Sequence, residues 1–205
     1  VTAIGVGRPC PPFTLGVDGL AHFTRDQLVD FHGRGARVVG AYLENLTPEY
    51  RDLILSCEMG IAPYTMASTG PVNNATGASR GATAVRQAVA LGVPLGCHVL
   101  IDLEGVVGTE CGDHVNAFDA ALSSGGYSSM LYVGAPQPLT AQQLEALRPA
   151  RYMRSCSFGV PEPSRGWCCL QLRPGDVTDA TGARVDWLVV EQDGHGCTPT
   201  WWFPG

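Results

Sequence analysis

Short apolar runs alternate with amphipathic stretches from Phe13 almost to the end of the chain. Residues 13–19 predict a strand that ends at Asp18. A helix follows, with Thr24 as its N-cap and Leu28, Val29 and Phe31 as its apolar stripe. Residues 36–44 predict a second strand. Residues 47–60 predict a helix capped by Thr47, with Pro48 at its first position and Gly60 as its terminator. A third strand is predicted over residues 61–68. The polar stretch 69–79, rich in Gly, Asn and Thr, predicts a loop before a small-residue helix that ends at Gly92. Beyond it lie a strand over 98–106, a helix over 113–126, a strand over 127–134 and a helix capped by Thr140. Three more strands are predicted over 150–158, 166–173 and 183–192, with little helix between them.

Regular alternation of this kind implies parallel strands joined by crossover helices. The expected fold is α/β: a small (β/α)8 TIM-type barrel over residues 13–193, its late helices reduced or missing. An arm (1–12) precedes it and an aromatic tail (194–205) follows. A doubly wound open sheet is the alternative, but the Gly-rich turn it needs after the first strand is absent.

The strand "HVLIDLEGV" carries the chemistry. Side chains two apart on a strand share a face, so His98, Leu100, Asp102 and Glu104 point one way and Val99, Ile101 and Leu103 the other. Asp102 and Glu104 therefore stand at the strand's C-terminal end, the active-site mouth of such barrels. Two carboxylates about 6–7 Å apart should separate in pKa, with Glu104 raised and Asp102 lower. One proton donor beside one carboxylate is what glycoside cleavage requires. Other strands place Asp18, Tyr42, Glu44, Tyr64, Tyr132, Gln171 and Asp186 toward the same rim. The loop over 69–79 is expected to overhang it.

The composition is 45% hydrophobic and 16% charged, which marks a chain that buries a core. The net charge is −6 and no basic run occurs, so no nucleic-acid partner is expected. No apolar run is long enough for a membrane span. The first residues lack the basic start and apolar core of a secretory signal. The eight cysteines include no C-x-x-C pair, and neither a metal nor a cofactor is expected. Most of the thiols should be free and buried; Cys10, Cys111 and Cys197 are the candidates for bridges.

The ordered motifs "LGVDG", "RVVGAYL", "VLIDLEG", "YSSMLYVG", "WCCLQL" and "RVDWLV" span residues 13–193. In them the chain resembles the lysozyme-like glycoside hydrolases of family 25. More closely, it resembles the glycoside-hydrolase-like barrel domains of actinobacteria and their phages. The resemblance implies a peptidoglycan-directed, muramidase-like hydrolase with Glu104 as general acid and Asp102, Asp18 and Asp186 beside it. Tyr42, Tyr64, Tyr132 and Gln171 would contact substrate. Trp187-Leu188 follows Asp186, so the Asn of the family's V-D-x-N pattern is absent. A bacterial cell-wall glycan is the implied partner, and the cell wall or a phage virion the implied place. The alternative is a non-catalytic glycan-binding or structural barrel; the aromatics Trp201, Trp202 and Phe203 are expected either to tuck onto the bottom of the barrel or, exposed, to join other virion proteins.

Overall fold

A computed structural model describes residues 5–19, 21–67, 72–149, 151–172 and 185–205. The elements run β1 (Val6–Pro9), β2 (Leu15–Asp18), α1 (Arg25–Gly33), β3 (Ala36–Tyr42), α2 (Pro48–Ser56), β4 (Gly60–Met66) and α3 (Asn74–Leu91). They continue with β5 (His98–Asp102), α4 (Cys111–Ser124), β6 (Ser128–Val133), α5 (Ala141–Glu145), β7 (Tyr152–Arg154), β8 (Cys169–Gln171), β9 (Asp186–Val190) and β10 (Thr200–Phe203). Strands β2 to β8 run parallel to one another in chain order. Strand β9 pairs with both β8 and β2 and closes the barrel. The expected α/β barrel is thus formed, with α5 reduced to a turn and a half and no helix described between β7 and β9.

Local chemistry starts the helices where the sequence predicts. Thr24 and Gln27 form a capping box at α1, and Thr140 and Gln143 another at α5. Thr47 caps α2, with Pro48 in the first turn. The apolar residues of the strands then divide between two layers. Val39, Ile61, Val99, Ile101 and Leu131 pack outward against Leu28, Phe31, Ile54 and Phe118 of the helices. Val38, Ala62, Leu100, Met130, Met153, Cys169, Leu188 and Val190 fill the barrel interior. Odd and even positions of a strand thus serve different cores, as its period of two requires.

Three expectations are corrected. Strand β9 is antiparallel to both neighbours, not the eighth parallel strand. Asp186 therefore begins its strand, yet reversal of direction sets it at the same rim as the C-terminal ends of the others. The loop expected over 69–79 is largely helix: Asn73 caps α3 and exchanges hydrogen bonds with Thr76, so the helix runs from Asn74. Residues 68–71 lie outside the described residues. Gly77, one of the glycines that made the stretch read as loop, is a packing device, as is Gly81 in the predicted helix. A Cβ on Gly77 would lie 2.1 Å from the His114 carbonyl oxygen, and one on Gly81 2.6 Å from that of Phe118, so α3 and α4 meet at their backbones.

Of the two expected placements of the aromatic tail, packing onto the barrel is the one observed, and the tail is no exposed partner surface. Trp201, Trp202 and Phe203 are 0%, 3% and 5% exposed. They lie in β10, which pairs antiparallel with β1 over its whole length and with the start of β4 at Trp202 and Ile61. Trp201 and Phe203 join the interior cluster, while Trp202 joins the outer one. The strand lies beside the start of β4, whose later residues pair with β5, and so fills the end of the barrel opposite the mouth. The suspected bridges do not form either: all eight cysteines are free. Cys111 starts α4 and faces the core, and burial pushes the Cys10 thiol up to about 11. No helix among the described residues is long and apolar enough to cross a membrane.

Removing the Trp201 side chain should therefore unseat the barrel's closed end. Trp201→Ala is expected to cost about 3–5 kcal/mol in chemical denaturation, the range for a fully buried Trp. A loss below about 0.5 kcal/mol, usual for a surface site, would show that the tail is dispensable.

Candidate active site at the barrel mouth

A cavity of about 180 Å³ opens at the C-terminal ends of the parallel strands, lined by Asp18, Gly19, Tyr42, Tyr64, Glu104, Tyr132, Gln171 and Asp186. Seven of the eight side chains expected at the site line it; Asp102 stands just behind. Among the described residues, no Arg lines it.

Backbone pairing sets the positions. Asp18 ends β2 in register with Asp186 at the start of β9. Room for Asp18 comes from β3: a Cβ on Gly40 would lie 2.7 Å from the Asp18 Cβ and 3.0 Å from Tyr64 Cζ. Glu104 follows β5 in a turn held by the Leu103 N–H on the Tyr132 carbonyl (3.0 Å) and the Gly105 N–H on the Pro136 carbonyl (2.9 Å). Its carboxylate folds over Gly134, where a Cβ would approach Oε1 to 2.8 Å. The Ser157 hydroxyl donates to Glu104 Oε1 at 2.9 Å. Neither Gly134 nor Ser157 was legible beforehand, because "VGA" and "CSF" carry no motif of their own. Among the described residues no cluster of His, Cys, Asp and Glu has the arrangement of a metal site.

Asp102 is spoken for. It accepts the Tyr42 hydroxyl at 2.7 Å and the Glu104 backbone N–H at 2.8 Å. It fixes both the phenol and the start of the Glu104 turn, and it touches the cavity through them. Glu44, also expected toward the rim, accepts the Thr65 hydroxyl at 2.8 Å and does not line the cavity. The aromatic wall is continuous: Tyr42 meets Tyr64 edge-on at 5.5 Å, and Tyr64 lies 6.2 Å from Tyr132.

Upward pKa shifts fall on Asp18, Asp102 and Asp186. The expectation that Asp102 lies low is overturned, because burial raises it more than its hydrogen bonds with Tyr42 and Glu104 lower it. Asp186 is raised by burial and then by the charge of Glu104. Asp18, 9% exposed, is pushed up to about 7, first by burial and then by Asp186, against a weak hydrogen bond from Tyr64 at 3.4 Å.

The same architecture occurs in solved structures. An uncharacterized protein of B. stearothermophilus superposes with a TM-score of 0.70 at 18% identity, over 87% of this chain and 96% of that one. The Tat-secreted protein Rv2525c of Mycobacterium tuberculosis, in complex with L-tartrate, gives 0.67 at 10% identity over 92% and 99%. A family 25 glycosyl hydrolase from Bacillus anthracis gives 0.59 at 14% identity over 90% and 91%. The chain therefore has the barrel fold of family 25 glycosyl hydrolases. No protein-family model matches the sequence, and no curated protein does.

The Asp18 shift has a measurable sign. The unfolded chain releases this proton near 3.8 and the folded chain near about 7. The native state therefore holds an extra proton between those values. That contribution to stability is complete below about pH 4 and is lost as pH rises through about 7. Asp18→Asn keeps the shape and removes the titration. Relative to wild type it should gain stability between pH 5 and pH 8, on the order of 2–4 kcal/mol. A difference between the two proteins that does not change with pH would contradict the shift.

Proposed function

We propose that this chain is a peptidoglycan-directed glycoside hydrolase, muramidase-like in its bond preference, acting at the bacterial cell wall. One observation carries the reading. Three carboxylates from separate strands surround one cavity at the mouth of a barrel whose fold a family 25 glycosyl hydrolase shares. In this reading Glu104, the most exposed of the acids, protonates the glycosidic oxygen as it leaves. A polymeric glycan reaches a group at the rim more readily than one sunk beneath it. Asp186, half-buried on the antiparallel strand, stabilises the positive charge that develops on the sugar ring. Asp102 positions Glu104 through its backbone N–H and orients Tyr42. Asp18 holds a proton near neutrality, which lowers the charge of the cluster and eases substrate approach. Tyr42, Tyr64, Tyr132 and Gln171 supply the contact surface.

A non-catalytic glycan-binding barrel is the second reading. It is favoured by the commitment of both Asp102 oxygens to protein donors, which leaves that carboxylate no direct part in chemistry.

Release of reducing ends from purified cell walls separates the two. Wild type should release them, and Glu104→Gln should lose at least about 10²-fold in rate while still sedimenting with the walls. Wild type that sediments with walls but releases nothing would establish the binding barrel instead.

A further inference from the structure

We infer that Gln171 is the residue that reads the acylamino group of the glycan, through a side-chain amide whose orientation the protein has already fixed; the inference rests on the glycan-directed reading above. The Gln171 Oε1 accepts the Cys156 backbone N–H at 3.0 Å and the Tyr132 hydroxyl at 2.9 Å. A backbone N–H can only donate, so the carbonyl end of the amide must face Cys156. The amide cannot be turned over without setting its NH2 against that N–H. Its NH2 end is what Gln171 has left to offer a ligand in the cavity it lines.

The other lining groups make that offer distinctive. The Tyr132 proton is directed at Gln171, the Tyr42 proton at Asp102 and the Tyr64 proton at Asp18. The three phenols therefore turn lone pairs, not protons, to a ligand. Glu104 and Asp186 are acceptors when ionised, and Asp18 becomes one as pH rises through about 7, so the contrast is sharpest above that pH. Among the described side chains lining the cavity, Gln171 carries the one N–H donor. Ligand hydroxyls both donate and accept, so they are served by this wall of acceptors. An amide carbonyl only accepts, and its match here is the Gln171 NH2. A sugar bearing an N-acyl group at one ring position thus fits the cavity's hydrogen-bond polarity better than the same sugar with a hydroxyl there. Leaving a buried donor without an acceptor is the larger part of the discrimination.

The test uses two neutral β-1,4-linked trisaccharides that differ only at that ring position: one of N-acetylglucosamine, one of glucose. Binding of each to the whole chain is measured by calorimetry, with sedimentation on cell walls run alongside. Two variants are compared with wild type. Gln171→Glu keeps an oxygen facing Cys156 and replaces the donor by an acceptor; Gln171→Met removes both. Thermal melting checks that each is folded. Wild type should bind the N-acetylated trisaccharide at least about tenfold more tightly than the glucose one, the size of a hydrogen bond to a desolvated group. Both variants should bring that ratio close to one. Wild type that binds walls but does not discriminate between the trisaccharides, or discrimination that survives in both variants, would overturn the assignment of Gln171 alone. Wild type that binds neither trisaccharide nor walls would overturn the glycan-directed reading and this inference with it.

Discussion

Like charges forced together at the open end of the barrel are the constraint on which the site depends. Asp18, Glu104 and Asp186 share one cavity, with Asp102 directly behind and no Arg among the described lining residues. Left ionised and unpartnered in a half-buried place, these groups would repel one another by several kcal/mol. The structure relieves the repulsion in three ways. Donors that carry no charge are brought in: the Tyr42 hydroxyl and Glu104 N–H for Asp102, and the Ser157 hydroxyl for Glu104. Asp18, the most deeply placed of the cavity acids, keeps its proton to about 7. Asp186 and Glu104 stay partly open to water, where charge is screened.

Every feature that brings the acids together is a backbone feature. The antiparallel closure by β9 puts Asp186 opposite Asp18. Gly40 and Gly134 leave the volume that Asp18, Tyr64 and Glu104 occupy. At the far end, Trp201 and Phe203 of β10 enter the interior core beside Val38, Ala62 and Leu100. The barrel is thereby a packed solid with its polar chemistry confined to one end. Methyl groups at Gly40 or Gly134 would press on the acids themselves, so these positions tune the site without touching a ligand.

Much of this was legible in the residues. The period-two pattern of "HVLIDLE" gave the face of Asp102, but β5 stops there and Glu104 lies in the turn that follows; the caps Thr24, Thr47 and Thr140 gave three helix starts. Seven of eight expected site residues line the cavity. What escaped has physical reasons. An apolar run such as "DWLVV" has no direction written into it, so the reversal of β9 was invisible; only its pairing reveals it. Gly77 resembles a loop residue until α4 is seen to lie against it. Four residues ending a chain look like a tail, and β10 becomes a strand only through partners about 140 and 190 residues away, Ile61 and Val6 to Pro9. The expectation that Asp102 lies low failed because desolvation was not weighed at its own carboxyl. Burial is the leading cause of the shifts at Asp18, Asp102 and Asp186.

The most direct measurement is a carboxyl-carbon NMR titration of Asp18 in wild type and in Asp186→Asn. The account predicts a wild-type midpoint near about 7, because burial and the neighbouring carboxylates hold the proton on. It also predicts a lower midpoint in the variant, since Asp186 is the largest charge acting on Asp18. A wild-type midpoint at the ordinary aspartate value near 3.8, unmoved by the substitution, would mean that the acids neither crowd one another nor lie in a desolvated site.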